Sequence, residues 1–390
     1  MKKYIVTLLV VSSFVGLQAQ TDSLSFKIQA RLDLLMQDPL LDRTQLGLMV
    51  YDLTTDSPLY CHGEKQSMRP ASTMKLLTAI TAIDLLGSSY PFRTSLQYEG
   101  SLENGVLSGN LYCVGGMDPM FDDENMNTFV QSLRAAGIKT IRGSLVAVNS
   151  FKEPDLLGEG WCWDDDNPHL SSLLISRKDE FMNVFSSRLR EAGIVVESSV
   201  TTGMLPKETL TLCTIAHTLR DVLVPMMKDS DNLYAESMFF QIAASQDGRP
   251  AKAVHARQLV KKELSKAGVN NIQYRIADGS GLSLYNYITP ELMVKLLTYA
   301  YRHPSIYSHL APSLPVAGQD GTLKSRMTAP VTNGRVKAKT GTLTGISSLA
   351  GYLVAANNHI LAFCIINQGM MKISDGRAFQ DRVCTALCER

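Results

Sequence analysis

The sequence predicts an α+β protein: a sheet-and-helix body built from both ends of the chain, interrupted by a strand-rich insertion. Three observations carry this. Segments 45–62 and 335–367 alternate apolar and polar residues, with hairpin turns between them. Segments 73–86, 215–301 and 375–388 keep helical spacing. Between Tyr98 and Ser150 the texture changes to short strands separated by turn signals, Glu103-Asn104-Gly105 and Ser108-Gly109-Asn110 among them.

In chain order, Met1-Lys2-Lys3 is a positive start, and Tyr4 to Leu17 is an apolar run ending in Leu17-Gln18-Ala19. This is the pattern of a secretory signal peptide, residues 1–19, cut after Ala19. Leu24, Ile28, Leu32 and Leu35 place a helix over Ser23 to Met36. Gln45 to Leu53 and Pro58 to His62 read as a hairpin closed by Thr54-Thr55-Asp56-Ser57. A helix follows over Thr73 to Leu86, with Pro70 ahead of it, Ser72 at its start and Gly87 closing it. Further helices are expected at Asn127 to Gly137 and Glu180 to Gly193, with a strand near Ile194 to Val200. Four more run over Ile215 to Lys228, Leu233 to Ala244, Val254 to Ala267 and Pro290 to Tyr301. Strands at Arg335 to Thr340, Ser348 to Ala355 and Ile360 to Asn367, the last two joined at Asn357-Asn358, lead to a closing helix from Asp375 to Cys388. The body is then 20–95 with 209–390, and the insertion is 96–208.

Composition removes several classes of function. With 390 residues, 45% hydrophobic and 19% charged, the chain has enough apolar material for a large core and is not a disordered protein. Lys+Arg 38 against Asp+Glu 37 leaves no basic field for nucleic acid. After the leader no stretch is long and apolar enough for a transmembrane segment. The 7 cysteines form no CxxC pair and the 7 histidines no metal-ligand spacing, so mostly buried free thiols, no structural metal and no cofactor are expected.

Three short motifs carry chemistry. Ser72-Thr73-Met74-Lys75 is the chain's one S-x-x-K. Residues i and i+3 share a helix face, so the Lys75 amine reaches the Ser72 hydroxyl. Serine is a poor nucleophile until a base takes its proton. Lysine is that base only when burial or another cation lowers its pKa. The helix start offers backbone N–H groups for half of an oxyanion hole. A helix-capping serine followed by a solvated lysine is the plain alternative. Ser230-Asp231-Asn232 opens the next candidate site; alone it reads equally as a helix cap. As chemistry, Ser230 relays a proton to a leaving amine while Asn232 holds a substrate amide and braces Lys75. Lys339-Thr340-Gly341, followed by Thr342, ends a predicted strand. A cation and hydroxyl at a strand edge suit a terminal carboxylate. Gly341 lets a ligand lie along the edge as an added strand, and the Thr342 N–H completes the oxyanion hole. An ordinary turn with a solvated lysine fits the same tripeptide.

The three motifs occur together in one order, each on the element it requires. At this point the chain resembles the class C low-molecular-mass penicillin-binding proteins, the serine D-Ala-D-Ala carboxypeptidases and endopeptidases of the bacterial periplasm. Four further stretches are similar to that family: Asn110 to Pro119 (NLYCVGGMDP), Gly160 to Asp165 (GWCWDD), Ala277 to Ser283 (ADGSGLS) and Ala317 to Leu323 (AGQDGTL). The resemblance implies a β-lactamase/transpeptidase-like antiparallel sheet with helices on both faces. It implies Ser72 as acyl nucleophile, Lys75 as base, Ser230 and Asn232 as proton relay, and Lys339 with Thr340 as carboxylate grip. The implied partners are peptidoglycan stem peptides, with β-lactams as covalent inhibitors, in the periplasm. Two departures stand out. The interval from Lys75 to Ser230 is shorter than in long members, implying that a second inserted subdomain is missing between Asp166 and Glu180. Asn149 stands about where some members carry an Asp in the insert.

Two rivals remain at this stage. A serine β-lactamase of class A needs a deacylating Glu after S-D-N, whereas Glu153-Pro154-Asp155-Leu156 precedes Ser230; class C β-lactamases have Tyr where Ser230 stands. A non-catalytic penicillin-binding sensor on the same fold predicts a damaged constellation, and none of these residues is damaged.

Overall fold

The computed structural model describes residues 25–164, 167–246, 250–270 and 272–390. The expected signal peptide, 1–19, lies outside them. The chain opens with helix α1 (25–35) and the hairpin β1 (Gln45–Asp52) and β2 (Ser57–His62). A 3-10 turn, Ala71–Met74, then feeds α2 (Lys75–Leu86).

Between α2 and α5 the chain carries β3 (Pro91–Tyr98), β4 (Ser101–Glu103), β5 (Val106–Ser108), β6 (Leu111–Val114), α3 (Asp123–Ala135), β7 (Thr140–Ile141), β8 (Leu145–Val148), α4 (Phe181–Glu191), β9 (Val195–Val196), β10 (Val200–Thr202) and β11 (Leu210–Thr218), so that β3 and β11 overrun the expected 96–208 bounds at either end. The body resumes with α5 (Leu219–Lys228), α6 (Asn232–Ala244), α7 (Ala253–Lys266), α8 (Pro290–Arg302), α9 (Pro304–Ser313), a 3-10 turn Gly321–Leu323, β12 (Val336–Leu343), β13 (Ile346–Val354), β14 (Ile360–Gln368) and α10 (Ile373–Cys388).

The two ends of the chain meet in one antiparallel sheet of order β12-β13-β14-β1-β2. Its central strands are buried almost without interruption because helices cover both faces. Met49, Ala350, Ala362, Cys364 and Ile366 pack in one core with the apolar sides of α2, α6 and α8. Leu48, Val50, Leu349, Phe363 and Ile365 pack in the other with Ile28 and Leu32 of α1 and Phe379 and Val383 of α10. The predicted fold class is therefore the observed one. Of the seven cysteines, Cys113, Cys364, Cys384 and Cys388 are buried thiols, Cys213 is half-buried, and Cys61 and Cys162 are exposed.

One expectation changes. The helix expected from Ile215 begins only at Leu219. Residues 210–218 instead pair along the whole length of β3, from Leu210 opposite Tyr98 to Thr218 opposite Pro91. Thr211, Thr214 and Thr218 suit a pleated strand, and Thr218 then caps α5 in a reciprocal box with Asp221. The insertion carries helices beside its strands, α3 and α4, where the sequence places them. β6 and β8 are parallel neighbours, and a parallel pair needs a crossover. α3 provides it, and α3 and α4 bury Phe129, Phe181 and Phe185 in a separate core.

Candidate active site

Ser72 does not sit on an α-helix. It lies in the 3-10 turn Ala71–Met74, and α2 starts at Lys75. In a 3-10 turn residues i and i+3 eclipse, so Lys75 stacks over Ser72. Two close approaches hold this turn. Gly281, at φ 83°, lies under it, and a Cβ there would meet the Ala71 carbonyl oxygen at 1.9 Å. A Cβ on Gly341 would meet Ser348 Oγ at 2.1 Å, Pro70 O at 2.8 Å and the Ser72 nitrogen at 3.0 Å. Gly341 was expected to make room for a ligand along the strand edge. Here the space is taken by the protein's own Pro70–Ser72 segment. Ala71 itself holds φ 48°, a conformation a non-glycine residue adopts only under constraint.

Lys75 is wholly buried. Its Nζ lies 3.0 Å from Ser72 Oγ, 2.7 Å from Asn232 Oδ1 and 2.9 Å from the Ser280 carbonyl oxygen. The two latter atoms only accept. A neutral amine has two N–H donors and one lone pair. Donating to Asn232 and Ser280 leaves that lone pair for the Ser72 hydroxyl proton. Burial lowers the Lys75 pKa to about 8, against the opposing pull of Asp278, Glu236 and Asp231. An amine in this position is a base near neutral pH.

Beneath it lie two acids that sequence reasoning did not assign. Glu236 is one turn after Asn232 on α6, and its carboxylate accepts from Ser280 N at 2.7 Å and Gly279 N at 3.1 Å. Burial, then Asp278, pushes its pKa up to about 8. Asp278 accepts from Gly281 N at 2.8 Å, Ser283 N at 2.6 Å, Asn286 Nδ2 at 2.6 Å and Trp161 Nε1 at 2.8 Å. Together they fold the 277–283 loop so that the Ser280 carbonyl faces Lys75. A charged residue among Leu233, Ala235, Met238 and Phe239 on an otherwise buried helix was the available signal for Glu236.

Ser230 was expected to open a helix. The cap is Asp231, whose side chain accepts from Tyr234 N at 3.2 Å, and Ser230 precedes it at φ 64°. Its hydroxyl is thereby free of the helix and accepts from Lys339 Nζ at 2.7 Å. Asp231 also pairs with Arg177 of the insertion at 2.5 Å. Lys339 is buried, bonded to Ser230 and to the Thr340 carbonyl at 2.8 Å. Burial and the nearby Lys75 hold its pKa well below the usual lysine range. The site thus has two hydrogen-bonded groups, Ser72–Lys75–Asn232 and Ser230–Lys339–Thr340. Ser72, Ser230, Thr340 and Thr342 line one open cleft of about 640 Å³.

β12 is an edge strand. Its start is covered, since Ala317 N donates to Val336 O and Ala338 N to Pro315 O. Those bonds show that the even-numbered residues turn their backbone groups away from β13, and the period of two carries this to Thr340 and Thr342. The Thr342 N–H therefore points toward the cleft, beside the Ser72 N–H that Gly341 approaches. Glu153 lies elsewhere, accepting from Ala253 N at 2.8 Å at the start of α7. Asn149 follows β8 and offers its backbone carbonyl to Ser172 Oγ at 3.0 Å. Among the described residues no group of His, Cys, Asp and Glu is arranged to hold a metal.

The chain matches the model of the D-Ala-D-Ala carboxypeptidase 3 (S13) family over residues 28–174 and 167–388. It is 27% identical to a D-alanyl-D-alanine carboxypeptidase of an Actinomadura species, across 93% of this chain and 85% of the relative. It is 26% identical to the D-alanyl-D-alanine carboxypeptidase DacB of Haemophilus influenzae, across 82% of this chain and 84% of the relative. Among solved structures, penicillin binding protein 4 of Haemophilus influenzae superposes with a TM-score of 0.82 at 24% identity, covering 89% of this chain and 98% of that one. The same protein complexed with a β-lactam superposes at 0.75, with 26% identity, over 88% of this chain and 96% of that one.

Proposed function

Since the chain belongs to the D-Ala-D-Ala carboxypeptidase 3 (S13) family, we propose that it removes the terminal D-alanine from peptidoglycan stem peptides through an acyl-enzyme on Ser72. The observation that carries this reading is the set of three contacts around the Lys75 amine, two with obligate acceptors and one with the nucleophile.

Neutral Lys75 takes the Ser72 hydroxyl proton as Oγ attacks the carbonyl between the two D-alanines. The Ser72 and Thr342 N–H groups receive the developing oxyanion. The C–N bond then breaks, and the proton passes through Ser230 to the departing amine. Asn232 keeps the Lys75 amine aimed at Ser72. Water enters with Lys75 again as base, and the peptide leaves with a free carboxylate. In a β-lactam the amine cannot leave, because the broken ring bond stays tethered, so the adduct on Ser72 persists. Cutting a cross-link breaks the same kind of bond, so endopeptidase action needs no new residue.

Such substrates lie outside the cytoplasm, which fits a periplasmic enzyme delivered by a leader cleaved after Ala19. Among the described residues no helix is long and apolar enough to cross a membrane. The constellation of Ser72, Lys75, Ser230, Asn232, Lys339 and Thr340 is complete, which argues against a sensor. Glu153 is bound at the start of α7 rather than in the cleft, which argues against class A β-lactamase turnover. The test is D-alanine release from an acyl-D-Ala-D-Ala peptide. Wild type releases it and S72A does not. Binding without release, or penicillin hydrolysed within seconds, would replace this reading by one of the rivals.

A further inference from the structure

The reaction leaves open which group recognises the substrate's terminal carboxylate. Lys339 was expected to do so, yet it is fully buried behind the cleft wall, with its amine bonded to Ser230 Oγ and Thr340 O. The cleft wall carries two other cations, Arg326 and Arg377. Arg326 is spent: it donates to Asp381 at 2.6 and 3.1 Å, to Gln380 at 3.1 Å and to the Arg377 carbonyl at 3.2 Å. Arg377, on α10, is exposed and has no carboxylate within ion-pair distance among the described residues. Its side-chain hydrogen bond goes to Thr342 Oγ1 at 3.2 Å.

We propose that Arg377 and Thr342 together form the clamp for the carboxylate of the departing D-alanine, with Arg377 setting the enzyme's demand for a free chain end. The inference rests on the carboxypeptidase reading above. Four features support it. Because Arg377 donates to Thr342 Oγ1, the Thr342 hydroxyl proton is turned away from Arg377 and is available to an anion. Thr340 donates in the same manner to Thr322 Oγ1 at 2.8 Å, which leaves the Thr322 hydroxyl as a second cleft donor. A planar guanidinium presents several N–H groups, so Arg377 keeps donors for a carboxylate while holding Thr342. The backbone of Arg377 is tethered through Arg326, so the guanidinium is carried on a fixed stretch of α10.

The test compares an acyl-D-Ala-D-Ala peptide with its C-terminal amide, in wild type, R377A and R377K. Wild type prefers the free acid. R377A lowers kcat/KM for the acid about 10–100-fold, the value of a charge-assisted hydrogen bond. The same variant leaves the amide nearly unaffected, and R377K recovers part of the loss. An equal fall on both peptides would make Arg377 a structural support for Thr342, and an unchanged acid preference would remove it from recognition; either result overturns the proposal. A wild type that releases D-alanine from neither peptide refutes the carboxypeptidase reading itself, and the clamp with it.

Discussion

In the proposed mechanism the protonation of Lys75 sets the rate, so the pH dependence of acylation is the most quantitative consequence of that proposal. Its pKa is lowered from 10.5 to about 8 by burial. The neutral fraction then rises with pH and levels off above about 8. At pH 7 roughly a tenth of the enzyme has the free base, about 300 times the fraction an unperturbed lysine would have. Between pH 9 and pH 6 that fraction falls by roughly two orders of magnitude. Because the base form reacts, activity is lost as pH falls. The assay is the second-order rate of labelling by a fluorescent penicillin, quenched at intervals across pH 6 to 10. The expected profile is a single limb with unit slope bending near pH 8. A rate flat down to pH 6, or still climbing with unit slope above pH 10, would refute the assignment of buried Lys75 as base.

Three other perturbations follow from the same contacts. G281A sets a Cβ against the Ala71 carbonyl at 1.9 Å and forces a side chain into φ 83°, so it lowers stability by roughly 1–3 kcal/mol in urea titrations and slows acylation by shifting Ser72; a variant with wild-type values in both would contradict the account of the turn. E236Q keeps the Oε1 that accepts from Ser280 N and Gly279 N but removes a titrating acid. The folded pKa of Glu236 is raised, so its contribution is intact at low pH and lost as pH rises through about 8; E236Q should therefore gain stability relative to wild type between pH 5 and pH 9, and an unchanged difference across that range would show that Glu236 does not titrate there. S230A should slow D-alanine release about 10²–10⁴-fold, the usual contribution of a positioned proton donor, with circular dichroism unchanged; release within a factor of two of wild type would exclude the relay.

The approach of Lys75 to Ser72 was legible because it is set by a few residues of local spacing. Asn232 was legible because the helix after it puts its side chain on a defined face. What stayed hidden depends on distant packing. The 3-10 turn under Ser72 exists because Gly281 and Gly341, more than two hundred positions away in sequence, let their segments approach it. Glu236 gains its role from the 277–283 loop, which no local pattern couples to α6. The burial of Lys339 follows from β12 lying against Ser230, so a residue that reads as a surface cation becomes an internal one. β11 was misread because its apolar residues fit a helix about as well as a strand, and only pairing with β3 decides between them. In the body sheet β1, β13 and β14 are short, rich in apolar residues and bounded by turn signals, so their strand character was plain.

The most direct measurement is to trap the penicillin adduct, digest the protein and locate the added mass by tandem mass spectrometry, in wild type and in K75A of verified fold. The account predicts one adduct, on the Ser72 hydroxyl, formed by wild type and nearly absent from K75A. An adduct on any other residue, or K75A labelled at the wild-type rate, would contradict it.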